Sequence, residues 1–178
     1  MHRLQLEHII RAAAGITGAS EFVIVGSQAV LGQFPQAPDE LLVSIEADVF
    51  SLRDPADSDL IDGSIGEGSP FHQTFGYYAH GVSVETAVLP GGWQDRLVPV
   101  RNENTGGGTG LCLEIHDLAV SKLVAGREKD VDFIGGLLRH HLVQVPVIRD
   151  RLNKTNLATD RLQICLARLD RLVNAVGS

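Results

Sequence analysis

The chain has 178 residues, enough for one domain with a real core or for a small core with a helical appendage. Hydrophobic residues make up 44% and charged residues 21%, which excludes a predominantly disordered chain. A formal net charge of -7 excludes coating of nucleic acid by bulk charge alone, while leaving room for a local basic pocket. The two cysteines, Cys112 and Cys165, have neither metal-ligand spacing nor the numbers for a disulfide framework, so a reducing cytoplasm is the expected compartment. The opening MHRLQLEHII is amphipathic and lacks the continuous apolar stretch of a signal peptide. No apolar run is long enough to span a bilayer, and no membrane role is expected.

In chain order, Leu4, Leu6, Ile9, Ile10, Ala13 and Ile16 follow helical spacing, with Gly15 and Gly18 closing the helix. Glu21 to Val25 is a short apolar strand, buried on both faces. Gly26-Ser27 turns the chain into a short helix, and the two prolines of QFPQAPDE mark a loop. Leu42 to Phe50 is the clearest strand: Val43, Ile45, Ala47 and Val49 point one way, Ser44, Glu46 and Asp48 the other. A short acidic helix is expected from Asp57 to Ile65, then one or two strands between Thr74 and Leu89, broken at His80-Gly81. Pro90-Gly91-Gly92 is a turn and Trp93 to Val100 another strand, with Trp93 as a core anchor. The glycine-rich stretch 104–110 is a loop, and Leu111 to Leu113 a brief strand. From His116 onward the pattern is helical, with segments around Leu118 to Val124, Val131 to Leu138, Val145 to Leu152 and Arg161 to Val176. The expected class is α+β: a small mixed sheet flanked by helices over residues 1–115, and a helical region over 116–178. No flexible linker divides the two, so they should pack as one unit.

The chemistry starts at VSIEADVF. Side chains two apart on a strand share a face, roughly 7 Å apart along the chain, so Glu46 and Asp48 present neighbouring carboxylates. Such a pair repels unless a cation lies between its members. Mg²⁺ suits it, because that ion takes a few carboxylates and completes its shell with phosphate oxygens and water. Gly26-Ser27, opening a helix after a strand, would supply backbone N–H groups, close approach and a hydroxyl for an anion. The competing readings are a solvated strand face for Glu46 and Asp48, and a simple capped turn for Gly26-Ser27.

Gly26-Ser27 followed by Ser44-Ile45-Glu46-Ala47-Asp48 resembles the nucleotidyltransferase superfamily, whose mark is GS after one strand and [ST]-x-[DE]-x-D on the next. The segment from Asp117 to Asp130 is similar to the "DLA..KL.A.R.KD" stretch of bacterial nucleotidyltransferase-like proteins related to the AbiE-type toxins of type IV toxin–antitoxin systems. The resemblance covers roughly residues 20–140. It implies phosphate contacts from Gly26 and Ser27, metal binding by Glu46 and Asp48, and a phosphate-reaching Lys122 helped by Arg127 or Lys129. It also implies that Asp130 acts as a base or orients a basic side chain. The first carboxylate is Glu46 where the family more commonly has Asp. For the third carboxylate that many members carry, Glu85 and Glu114 are the candidates. The implied activity is Mg²⁺-dependent transfer of a nucleoside monophosphate from an NTP to an RNA 3′ end, such as that of tRNA, or to a protein hydroxyl. The implied setting is a toxin–antitoxin or phage-defence pair with a cognate antitoxin or neighbouring gene product. The alternative is an inactive nucleotidyltransferase-fold module that binds a nucleotide or a partner protein.

Other tempting features have plainer readings. Lys122, Arg127, Lys129 and Asp130 also fit a charged helix surface with local ion pairs. The loop NTGGGTG lacks the Lys-Ser/Thr ending of a P-loop and reads as a turn between strands, or a lid near the site. His140-His141 reads as a helix end, and His72 and His80, near aromatic residues, as packing or surface groups. The last helix is expected to cover the α/β half, with a dimer or partner contact as the minority alternative.

Overall fold

The computed structural model describes residues 1–177. The first helix, α1 (Arg3–Thr17), buries Leu6, Ile9, Ile10 and Ala13 and continues through Gly15. It ends only at Gly18, which takes the left-handed conformation that releases the chain from a helix. Strand β1 (Glu21–Val25) follows and is buried from Phe22 to Val25. A 3₁₀ turn (Ser27–Ala29) then leads into a single helical turn, α2 (Val30–Gln33).

Strand β2 spans Glu46–Ser51, not Leu42 to Phe50. The residues before it are held by other partners. Asp39–Leu41 forms a 3₁₀ turn, the Leu42 carbonyl accepts from the amino group of Met1, and the Ser44 carbonyl accepts from that amine and from Gln28 Nε2. Val43 and Ile45 consequently lie exposed, whereas Ala47 and Val49 enter the core. The acidic helix is α3 (Ala56–Ile65). The region read as strands from Thr74 begins instead with α4 (Pro70–Phe75), started by Ser69 capping the His72 N–H and by Pro70 in the first turn. Only β3 (Tyr78–Gly81) is extended, and His80-Gly81 lies inside it; a 3₁₀ turn over Val84–Thr86 replaces a second strand.

Trp93 to Arg96 is likewise a 3₁₀ turn, so that strand shrinks to β4 (Val98–Val100), with Trp93 half-buried against the core. The left-handed Gly92 sets the turn, and Arg96 is drawn away by Asp117 and the Gly91 carbonyl. Strand β5 covers Thr109–Cys112. The glycine-rich loop joins β4 to β5 and is packed on α1: Glu7 accepts from Asn102 and Asn104, and a Cβ at Gly106 would meet Arg11 at 2.9 Å.

The five strands form one mixed sheet in the order β3-β2-β1-β5-β4. β1 pairs antiparallel with β2 and parallel with β5; β2 pairs parallel with β3, and β4 antiparallel with β5. A central β1 buried on both faces accounts for its unbroken apolar run. Four helices follow: α5 (Ile115–Ala125), α6 (Glu128–Arg139), α7 (Val145–Asn153) and α8 (Thr159–Val176). α5 packs on α2 and the Ser27 turn, and α6 on the Asp39 turn, while α7 and α8 lie against α5 and α6. The buried side chains of sheet and helices form one continuous cluster. The chain is therefore an α/β core with a helical extension. Among the described residues no helix is long and apolar enough to cross a membrane.

One buried ion cluster ties the helical region to the sheet edge. Asp117, fully buried on α5, accepts from Arg96 at 2.8 and 3.0 Å and from Arg151 of α7 at 2.8 Å. Arg151 also pairs with Glu114, which His116 contacts at 2.7 Å. Burial alone would raise Glu114, but the bonds from His116 and Arg151 prevail and bring its pKa to about 2. Removing Asp117 would leave two guanidinium groups facing a buried void. Asp117→Ala is expected to lower unfolding free energy by about 3–5 kcal/mol in chemical denaturation. A loss within about 0.5 kcal/mol would show that the cluster does not hold the helices to the sheet.

Candidate active site

A cavity of about 900 Å³ opens where the ends of β1 and β2 meet α5 and α6. Gly26 and Ser27 line it from the turn after β1, Glu46 and Asp48 from β2, and His80 from β3. Lys122 enters from α5, and Arg127 and Lys129 from the start of α6.

The strand register explains the acidic side. Val25 is paired with Asp48, so the chain leaves β1 directly beside that carboxylate. Gly26 has φ 69, and a Cβ built there would lie 2.1 Å from Asp48 Oδ2. Only glycine meets both conditions. On the other side of β2, Glu46 is paired with Tyr78 and Asp48 with His80. The Tyr78 hydroxyl donates to Glu46 Oε2 at 3.0 Å, and His80 Nδ1 lies 3.2 Å from Asp48 Oδ1. Burial, followed by the charge of Glu46, raises the Asp48 pKa above the usual carboxylate value, with His80 and Lys122 opposing. Tyr78 is pushed up to about 12 by burial and by its bond to Glu46. Ser44 precedes the strand and closes a local turn with the Glu46 backbone through its hydroxyl, at 3.2 Å.

The helical side is cationic and braced from behind. Lys122 is nearly buried; its Nζ lies 3.0 Å from Asp130 Oδ1 and 5.5 Å from the centre of the Phe133 ring. Asp130 has no exposed surface and also accepts from Arg127 Nε at 2.7 Å and from the Arg127 backbone N–H, closing a capping box at the start of α6. Burial opposes its ionisation, but the bonds from Arg127 and Lys122 outweigh that and hold its pKa low. With both oxygens occupied, Asp130 orients the two cations and does not itself line the cavity. Lys129, well exposed, reaches Glu46 at 4.0 Å across the cavity.

Several expectations need correction. The element after Gly26-Ser27 is a 3₁₀ turn and one α turn, too short to present a full helix N-terminus, so the positive charge at the cavity comes from side chains. Glu85 sits exposed on the Val84–Thr86 turn and is not a lining residue, although Thr86 and Ala87 are. Glu114 belongs to the Asp117 cluster. No residue of the NTGGGTG loop lines the cavity. Sequence reasoning misses His80 and Asp132 of α6, which line the cavity, and Tyr78, which bonds Glu46 beside it. The signal for His80 and Tyr78 was a second alternation, Tyr78-x-His80, matching Glu46-x-Asp48 on the neighbouring strand. His140 does end its helix, bonded to Glu40 at 2.6 Å. Among the described residues, no group of three or more His, Cys, Asp or Glu side chains is arranged to hold a metal ion.

A mixed five-stranded sheet, acidic residues on the strand beside a Gly-Ser turn, and helices supplying cations to the same cavity define a nucleotidyltransferase-like domain. The chain belongs to the family described as nucleotidyltransferase of unknown function (DUF6036), whose model matches residues 4–164 and so includes both walls of the cavity. That description places it among nucleotidyltransferases at the level of the superfamily. No curated protein and no solved structure matches the chain.

The crowding of Asp48 has a measurable consequence. Its pKa is raised on folding, so its charged form opposes the fold. Asp48→Asn is expected to raise stability at neutral pH by about 1 kcal/mol in denaturation. The gain should fade as pH falls through the folded pKa of Asp48, where the parent takes up the proton itself. A variant less stable than the parent at neutral pH would contradict this electrostatic picture.

Proposed function

We propose that the chain is a Mg²⁺-dependent nucleotidyltransferase that moves a nucleoside monophosphate from an NTP to an acceptor hydroxyl and releases pyrophosphate. The observation that carries this reading is the opposition of charges in one cavity: Glu46 and Asp48 on β2 facing Lys122 and Arg127. Two adjacent carboxylates, one of them disfavoured in its charged form by burial and then by the other, suit a cation that shares its remaining coordination with phosphate. Glu46 and Asp48 would hold Mg²⁺, which when bound neutralises charge on the phosphates. Lys122 and Arg127, kept in place by Asp130, would bind triphosphate oxygens, with Lys129 at the rim. Ser27 would add a hydroxyl beside them. The acceptor oxygen forms a bond to the α-phosphorus, the bond from that phosphorus to the bridging oxygen breaks, pyrophosphate leaves, and the hydroxyl proton passes to water. Catalysis of this kind rests on positioning and charge neutralisation.

The acceptor proposed is an RNA 3′ end, tRNA among them, or a protein hydroxyl. The setting proposed is a cytoplasmic toxin–antitoxin or phage-defence pair with a neighbouring gene product as partner. The second reading is a module that binds a nucleotide or a partner protein without turnover. It is favoured by the donor set, which among the described residues stops at two carboxylates.

Incubation with labelled NTPs, Mg²⁺ and total RNA or cell lysate is expected to give labelled acceptor and pyrophosphate. Asp48→Ala and Lys122→Ala should each reduce transfer at least about a hundredfold. Metal-dependent nucleotide binding without any transfer would replace the enzyme reading with the binding module.

A further inference from the structure

The residues assigned to a triphosphate and a metal leave part of the cavity lining unexplained. Glu40, Leu41, Val43, Asp132, Phe133 and Arg139 also line it. Val43 has 79% of its surface exposed, more than any other large apolar residue among those described, although Leu41 and Leu42 beside it are buried. Single exposed apolar side chains are ordinary on protein surfaces. Val43 differs in two respects: it faces a cavity, and the segment that carries it is fixed on several sides.

Leu41 seats against Gly136 of α6, where an added Cβ would lie 2.8 Å from Leu41 Cδ2. Glu40 pairs with both Arg139 and His140 at the end of the same helix. The Ser44 carbonyl accepts from the buried side chain of Gln28 at 3.0 Å. These ties keep residues 42–45 out of the sheet, although their alternation would suit a strand. A rigid apolar surface that needs no ordering on contact is what a flat ligand binds most economically in entropy. Arg139 lines the same cavity and is anchored by Glu40 of the segment that carries Val43, and a guanidinium so held stacks well on an aromatic ring.

We propose that Val43, with Arg139 held by Glu40 of the same segment, forms the subsite for the nucleobase of the nucleoside triphosphate. This rests on the preceding reading that Lys122 and Arg127 hold the phosphates. A nucleotide anchored by its phosphates at that end extends its sugar and base along the remaining wall, towards Val43 and Leu41. Asp132 and Arg139 border this wall and can meet polar groups on the base edge.

The test is calorimetric binding of ATP, CTP, GTP and UTP, each compared with inorganic tripolyphosphate, in the presence of Mg²⁺. Val43→Ser removes apolar contact at an exposed position, so folding is not at stake. It should weaken binding of the preferred NTP roughly threefold or more while leaving tripolyphosphate unchanged. Val43→Leu should restore NTP binding, and Lys122→Ala should weaken both ligands. An unchanged NTP affinity in Val43→Ser, an equal loss for NTP and tripolyphosphate, or a parent that binds tripolyphosphate as tightly as any NTP would each overturn the subsite alone. Binding of neither ligand by the parent would overturn the subsite and the nucleotide reading together.

Discussion

Two carboxylates share one face of β2 and repel each other, and the arrangement around them answers that repulsion. Glu46 and Asp48 cannot separate, because the register with β1 and β3 fixes both. Gly26 leaves Asp48 just enough room by having no side chain. Tyr78 and His80 each give one carboxylate a hydrogen-bonding neighbour. Opposing charge also comes from the far wall, where Lys122 and Arg127 line the same cavity. Those cations need an anchor of their own, which is the buried Asp130. The chain of dependence runs from strand register to carboxylates, to cations, to a capping box at the start of α6.

That chain explains why the helical region is not an accessory. α5 and α6 supply one wall of the cavity, and their placement relies on ionic and close-packed contacts. Asp117 joins α5 to Arg96 of the sheet edge and to Arg151 of α7. At the α5–α6 junction, Gly126 is left-handed and covered by the Arg168 guanidinium of α8, which donates to the Leu123 carbonyl. α8 therefore touches the hinge between the helices that carry Lys122 and Arg127. Burying charge at this density is costly unless each group is paired. Among the side-chain nitrogen and oxygen atoms of the described residues, only Gln28 Oε1 is buried without a hydrogen-bond partner.

Much of this was legible in the sequence wherever a local rule coincided with the tertiary one. The apolar run of β1, the helical periodicity from His116 onward and the alternation of Glu46 with Asp48 all reflect what those segments pack against. Reading failed where a partner distant in sequence decides. Leu42 to Ile45 alternate like a strand, yet their carbonyls are taken by Met1 and Gln28. Trp93 to Arg96 looked extended, but Gly92 and the pull of Asp117 on Arg96 close a turn. α4 starts upstream of the strands expected from Thr74, at the Ser69 cap and the first-turn Pro70. That Glu114 pairs within the Asp117 cluster was beyond sequence reading, because which charged residues become buried is set by the whole fold; for Asp130 the resemblance implied either a base or a residue that orients a basic side chain.

A divalent cation is expected at Glu46 and Asp48 when nucleotide is present. The direct measurement is a Mn²⁺ titration with a non-hydrolysable NTP analogue, followed through paramagnetic broadening of backbone amide resonances. Broadening should centre on Gly26, Ser27, Glu46, Asp48 and His80 and extend to Lys122, and it should vanish in Asp48→Asn. Broadening centred on the acidic helix α3, around Asp57, Asp59 and Asp62, with the cavity unaffected, would contradict it.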